Sequence, residues 1–201
     1  VPLSTAGYDV APYLTATGCI TRDPETGIQN MGTYRGGIKA PNRLGLKMFV
    51  NLRQGGHAHW FKYKARGEKM PMAIMVGCPP ALAYVSPQKI RDDVDEMAVA
   101  GALAGAPIRV TRAKTIDVMV PADAEIIIEG LVDTEMFEPE GPFGESHGHI
   151  NLEEYNFIFD VTAITRRKDA VMASIISQGT PSESSVIKRG AMEPKFLNHL
   201  R

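Results

Sequence analysis

The sequence lacks the residues from which several kinds of protein are built. Two cysteines, Cys19 and Cys78, stand among 201 residues. Two thiols make neither a disulfide framework nor a zinc cluster, and they read as free thiols in a reducing cytoplasm. No apolar run approaches the roughly 20 residues that span a bilayer, and no basic-then-apolar signal segment opens the chain. An excess of one charge is missing as well, since 22 Lys and Arg face 23 Asp and Glu and leave a net charge of -1. A nucleic-acid footprint needs a basic excess, so that class of partner is set aside. There is no repeat of fixed period and no low-complexity tract. There is also no initiator methionine, and the opening Val1-Pro2-Leu3 reads as the interior of a longer protein.

What is present is ordinary globular material, 44% apolar and 22% charged, enough for one large domain or two small ones. The densest chemistry lies between Glu138 and His149, reading EPEGPFGESHGH. Glu140 and Glu145 flank Gly141-Pro142-Phe143-Gly144, where proline stiffens the chain and glycine lets backbone approach a ligand. Two carboxylates held near one another titrate apart, and one that keeps its proton can deliver it. The competing reading is a solvated acidic turn.

Other candidates are scattered. Asn30 and Arg35 sit five residues apart, with the small Gly32 between them. Arg35 alone reads as a surface cation; beside two carboxylates it becomes a natural bidentate partner. His57 and His59 follow Gly55-Gly56 at the start of an expected short helix ending near Gly67. At i, i+2 they cannot both face one point, so at most one is a ligand. Asp92 and Asp93 are placed before a helix carrying Val94, Met97, Ala98, Gly101 and Ala102 at helical spacing. Glu96 in its first turn reads as a helix-dipole carboxylate.

Strands are expected at Leu46–Leu52, Met70–Val76, Ile108–Val120, Glu125–Val132, Phe157–Ala163 and Ala170–Ile176, with turn chemistry at Asp23–Gly27. Thr180-Pro181-Ser182-Glu183 reads as a helix start, with the helix ending near Gly190. The expected fold is mainly β with a few helices, a barrel or strongly curved sheet.

Taken together, Asn30-Met31-Gly32-Thr33-Tyr34-Arg35, Glu96 in its helix, Val120-Pro121-Ala122-Asp123-Ala124-Glu125, Glu129-Gly130 and Glu140-Gly141-Pro142-Phe143-Gly144-Glu145 resemble the UbiD family of prenylated-FMN-dependent decarboxylases. The resemblance covers most of residues 27 to 180. It implies a split β-barrel of the FMN-binding type over residues 1–180, with 181–201 a helix leading towards a C-terminal domain. It implies a reversible decarboxylase of an aromatic or α,β-unsaturated acid, with Arg35, Glu140 and Glu145 as the catalytic network and Glu145 as proton donor. Asn30, Gly32, Thr33, Tyr34, Arg35, Arg53 and the Ser86-Pro87-Gln88 segment would line the cofactor. Asn30 and Glu96 would bind a divalent metal, manganese, with potassium a further candidate ion. The family's third metal ligand is a histidine near Asn51 to Arg53, where this chain has none. His57 is the favoured replacement, with His59 or a direct Arg53–phosphate grip as the alternatives. The resemblance also implies a homo-oligomer and a flavin prenyltransferase that supplies the cofactor. The competing classes are a plain FMN-binding split-barrel module and a non-catalytic subunit of a carboxylase complex.

Overall fold

The computed structural model describes residues 9–48, 55–91, 93–152 and 154–201. Its strands are β1 Tyr13–Leu14, β2 Thr17–Arg22, β3 Gln29–Gly32, β4 Gly36–Ala40, β5 Arg43–Leu46, β6 Met70–Val76, β7 Val110–Arg112, β8 Met119–Pro121, β9 Ile126–Glu140, β10 Phe143–Gly144, β11 Ile150–Asn151 and β12 Glu154–Arg166. Its helices are α1 Gly55–Ala65, α2 Pro80–Val85, α3 Glu96–Ala104 and α4 Glu183–Leu200. Eight strands form one sheet in the order β1-β4-β5-β12-β9-β6-β2-β3, and every described pairing is antiparallel. Among the described residues the end strands β1 and β3 do not pair with each other, so the sheet is not closed.

β6 shows why the fold is stable. Met70, Met72, Ile74 and Val76 enter one apolar cluster with Leu44, Leu46, Phe157 and Phe159. Ala73 and Met75, on the opposite face, enter a second cluster beneath α2 and α3, with Leu82 and Met97. A strand buried on both faces reads as a continuous apolar run, as this one does. β9 and β12 are the longest strands and carry two register shifts between them, which bend the pair.

Several local expectations need correction. β5 ends at Leu46, and residues 49–54, including Arg53, lie outside the described residues. Ala170–Ile176 is not a strand. The amide of Val171 donates to Glu125, that of Ile175 to Thr15 and that of Ile176 to Glu183, so side chains take the place of a ladder. α3 is capped by Asp95, whose side chain accepts from Met97 N. α4 is capped by Ser182 rather than begun at Pro181, and it continues through Gly190 to Leu200. No helix among the described residues is long and apolar enough to cross a membrane.

Candidate active site

Alternation along β12 puts Phe157 and Phe159 in the core and turns the even residues to the other face. On that face Glu154 lies opposite Glu140 of β9. β9 runs unbroken to Glu140, then Gly141-Pro142 turns the chain into the small β10–β11 hairpin. The hairpin folds back and is held where Glu145 N donates to His149 O at 2.9 Å. This return brings Glu145 beside Glu140.

Arg35 joins the two. Its Nε donates to Glu140 Oε1 at 3.0 Å and its Nη2 to Glu140 Oε2 at 2.8 Å, a two-pronged fork. Its Nη1 donates to Glu145 Oε1. The guanidinium lies 4.3 Å from the centre of the Phe143 ring, a cation–π contact. Burial opposes the Arg35 charge, but the hydrogen bonds and charges of Glu140 and Glu145 outweigh it and hold its pKa above the usual value. The two carboxylates differ in access: the Glu140 side chain is 1% exposed and that of Glu145 is 19% exposed.

Sequence reasoning missed a fourth member. Tyr13 is buried, packs on Phe143 at 4.6 Å between ring centres, and hydrogen-bonds Glu140. Burial first, and the Glu140 charge second, raise its phenol pKa. Tyr13 lies across Gly37, where a Cβ would come within 2.9 Å of its ring. Only the pairing of β1 with β4 reveals this, and a two-residue strand leaves no periodic signal.

The second half of the site is a cavity of about 150 Å³ lined by Asp23, Gln29, Asn30, Gly55, Ala58, His59, Lys62, Val94 and Glu96. Asn30 and Glu96, distant in sequence, meet here. Arg35 follows Asn30 by five positions, so their Cα atoms lie within about 18 Å of each other. Glu96 Oε2 accepts from Met31 N at 3.0 Å, and burial pushes its carboxyl above the ordinary range against that amide.

The histidines part company. His59 lines the cavity, and its Nδ1 is 2.8 Å from Thr21 Oγ1. His57, favoured as the metal ligand from the sequence, instead packs among Trp60, Phe61 and Phe157, with ring centres 5.8, 4.9 and 5.9 Å away. Burial there lowers its pKa. Two residues of helix turn a side chain by about 200°, so the face that docks on the sheet takes His57 and the cavity takes His59. Thr21 was also missed. The turn expected at Asp23–Gly27 could have found it, because it sets Thr21 opposite Asn30.

The other expected cofactor residues are dispersed. Gly32 and Tyr34 face each other, and the buried Tyr34 hydroxyl accepts from Gly56 N at 3.2 Å, fixing the start of α1 rather than lining the cavity. Thr33 Oγ1 and Ser86 Oγ are 2.9 Å apart. Pro87 is exposed, and the Gln88 amide donates to Tyr84 O at 3.2 Å.

A divalent ion fits the cavity's donors. Asn30 can turn its amide nitrogen to Glu96 Oε1 at 3.3 Å, and its oxygen then accepts from Gly56 N and Met31 N. Turned the other way, two oxygens face each other at that distance, which a cation between them stabilises. Among the described residues no three His, Cys, Asp or Glu side chains form a metal cluster; the set here is an amide, an imidazole and a carboxylate. Gly55 is essential to it, since a Cβ would fall 1.8 Å from Asn30 Oδ1. Gly55→Ala should therefore overpack the cavity and lower stability by about 1–3 kcal/mol, read from denaturant midpoints. An unchanged midpoint would mean that Asn30 yields freely.

A family model described as UbiD, 3-octaprenyl-4-hydroxybenzoate carboxy-lyase Rift-related domain, matches residues 2–181. The chain belongs to the UbiD family. An uncharacterized protein of Aquifex aeolicus (strain VF5) is 36% identical over 182 residues, covering 89% of this chain and 37% of that protein. An evolved dimeric form of the UbiD-class enzyme HmfF from Pelotomaculum thermopropionicum, in complex with prFMN, superposes with a TM-score of 0.90 at 32% identity. The match covers 98% of this chain and 45% of that one. Vanillic acid decarboxylase of Sedimentibacter hydroxybenzoicus in its closed form gives 0.87 at 23% identity, over 92% and 40% of the two chains; it shares the fold. This UbiD-family chain thus spans less than half the length of these relatives.

Proposed function

We propose that this chain carries the catalytic network of a prenylated-FMN-dependent decarboxylase acting reversibly on an aromatic or α,β-unsaturated carboxylic acid. The observation that carries the reading is the buried fork of Arg35 on Glu140 with Glu145 as its second partner. A flavin-storage barrel has no use for it. The prenylated flavin, when bound, supplies the electron sink that a departing carbon dioxide requires. The protein's own residues do the rest. Arg35 holds Glu140 as an anchor and orients the substrate carboxylate. Glu145, the more exposed carboxyl, brings a proton to the carbon that has lost carbon dioxide.

Asn30, Glu96 and His59 would hold a divalent cation, manganese, which would neutralise the charge of the cofactor phosphate, and potassium is a candidate second ion. The Thr21 hydroxyl at Nδ1 would help to fix the orientation of the imidazole in the cavity. Thr33 and Ser86, whose hydroxyl oxygens are 2.9 Å apart, would contact the bound cofactor. A flavin prenyltransferase supplies the cofactor, and the full-length protein assembles as a homo-oligomer.

The test is mass spectrometry of full-length protein co-expressed with a flavin prenyltransferase, followed by deuterium exchange into candidate acids. A prenylated-FMN mass with exchange is expected. Plain FMN without exchange would overturn the reading in favour of a flavin-binding module. A second expectation concerns the metal. Glu96→Gln and His59→Ala should each reduce bound manganese and flavin while leaving the melting temperature near wild type. Full metal content in both variants, by elemental analysis, would refute their role.

A further inference from the structure

The eight-stranded sheet does not hold the hairpin that carries Glu145. β10 and β11 are two residues each and form a sheet of their own. A ribbon that short is not stable alone, so other contacts must fix it. Asp9 and Val10 hold the stretch before Glu145: Gly144 N donates to Asp9 Oδ1 at 3.0 Å, and Val10 N to Pro142 O at 2.9 Å. From Gly144 onward the ties come from residues 177–188, the turn after β12 and the start of α4.

These ties converge on one peptide unit. Ser177 Oγ donates to Gly144 O at 2.9 Å. Gln178 Nε2 donates to His149 O at 3.4 Å, and that same carbonyl accepts from Glu145 N at 2.9 Å. The unit joining Gly144 to Glu145 is therefore engaged at both ends, its carbonyl by Ser177 and its N–H by a carbonyl that Gln178 holds. Because a peptide unit is planar, the two bonds fix the plane from which the Glu145 side chain departs. Lys188 Nζ, from α4, donates to Ser146 Oγ on the next residue at 2.5 Å.

The clasp is anchored in turn. Ile175 N donates to Thr15 Oγ1 between β1 and β2, and Ile176 N to Glu183 Oε2 in the first turn of α4. Gln178 is 4% exposed, and its Oε1 accepts from Gly179 N at 3.0 Å, which turns Nε2 towards His149. The Glu145 carboxyl, by contrast, meets Arg35 and is 19% exposed. Its backbone is held while its side chain can still turn about its own bonds. A proton donor needs that combination, because acid catalysis depends on a hydrogen-bonded approach at a set distance.

We infer that Ser177 and Gln178, supported by Lys188, are positioning residues that aim the Glu145 carboxyl. The inference rests on the decarboxylase reading above for the task of Glu145, and on the pinned peptide unit for the place.

The test uses the full-length holoenzyme. Ser177→Ala and Gln178→Met should each lower kcat by about tenfold to a hundredfold, the scale of a misplacement of about 1 Å. KM, flavin content and melting temperature should stay near wild type, because neither residue belongs to the sheet or lines the metal cavity. Ser177→Thr, which keeps the hydroxyl, should restore most of the rate. Arg189→Ala is the control on α4, since Arg189 pairs with Glu193 in solvent and should change nothing. In a Glu145→Gln background the same two substitutions should cost less than about twofold further, because residues acting through one group are not additive. A full additional loss there would overturn the inference, as would wild-type kcat in both single variants or a fall in flavin content and melting temperature with the rate. Exchange of the Glu145 amide with solvent deuterium gives a readout without turnover: it should quicken in Gln178→Met, and unchanged exchange would overturn the clasp. Faster amide exchange in that variant, with no turnover of any acid by wild type, would leave the clasp standing and remove the decarboxylase reading alone.

Discussion

Glu145→Gln should reduce turnover of the full-length holoenzyme by about 10²–10⁴-fold, the contribution typical of a general acid or base. Glutamine keeps the shape of the side chain and accepts a hydrogen bond from Arg35, but carries no transferable proton. The choice between the two carboxyls follows from their surroundings. Glu140 is fully buried and gripped by both prongs of Arg35 and by Tyr13. Glu145 sits at the mouth of the β10–β11 turn, with one Arg35 contact and 19% of its side chain exposed. A group that must approach a substrate and retreat needs the second kind of site. Flavin absorbance and substrate affinity should stay near wild type, because Glu145 is not among the described residues that line the cavity. Deuterium exchange into product should slow together with decarboxylation. Turnover within a few-fold of wild type would move the acid elsewhere. His147 and His149, whose rings lie 5.3 Å apart in the same turn, would then be tested first.

Arg35→Met should destabilise the protein by about 3–5 kcal/mol, the scale for removing one partner of a buried ion pair. The loss is not that of a contact alone. Glu140 would remain 1% exposed with its charge facing Tyr13 and the neighbouring Glu154. Set against a total stability of roughly 5–15 kcal/mol for a native protein, this approaches unfolding. Arg22→Ala is the control, because its pair with Asp117 is 42% and 68% exposed and should be worth about 0–1 kcal/mol. Arg35→Lys should rescue only part of the loss, since an ammonium cannot make the fork. Denaturant midpoints decide: a cost for Arg35→Met no larger than that of Arg22→Ala would show the network to be screened by solvent. Pairing Arg35→Met with Glu140→Gln should recover stability without recovering turnover, separating charge balance from catalysis.

How much of this was legible beforehand varies with the range of the physics involved. β6 was placed to the residue, because a strand buried on both faces writes its whole length as apolar sequence. The return of Glu145 beside Glu140 was legible because glycine and proline act on the chain within a few bonds. The meeting of Asn30 with Glu96 came from family resemblance, since nothing local ties residues 66 positions apart.

Other features belonged to tertiary structure. Whether 170–176 paired as a strand depended on Glu125, Thr15 and Glu183 competing for its amides. That His59 lines the cavity while His57 packs on aromatic rings turned on which face of α1 met the sheet, a matter of Trp60 and Phe157 rather than of the histidines. Tyr13 acquired meaning only through the pairing of β1 with β4. The sequence by itself determined which side chains could do acid–base and metal chemistry, and which segments were stiff enough to aim them. The tertiary structure decided which of them share a face, because strand register and helix phase are set by the burial of apolar neighbours far away in the chain.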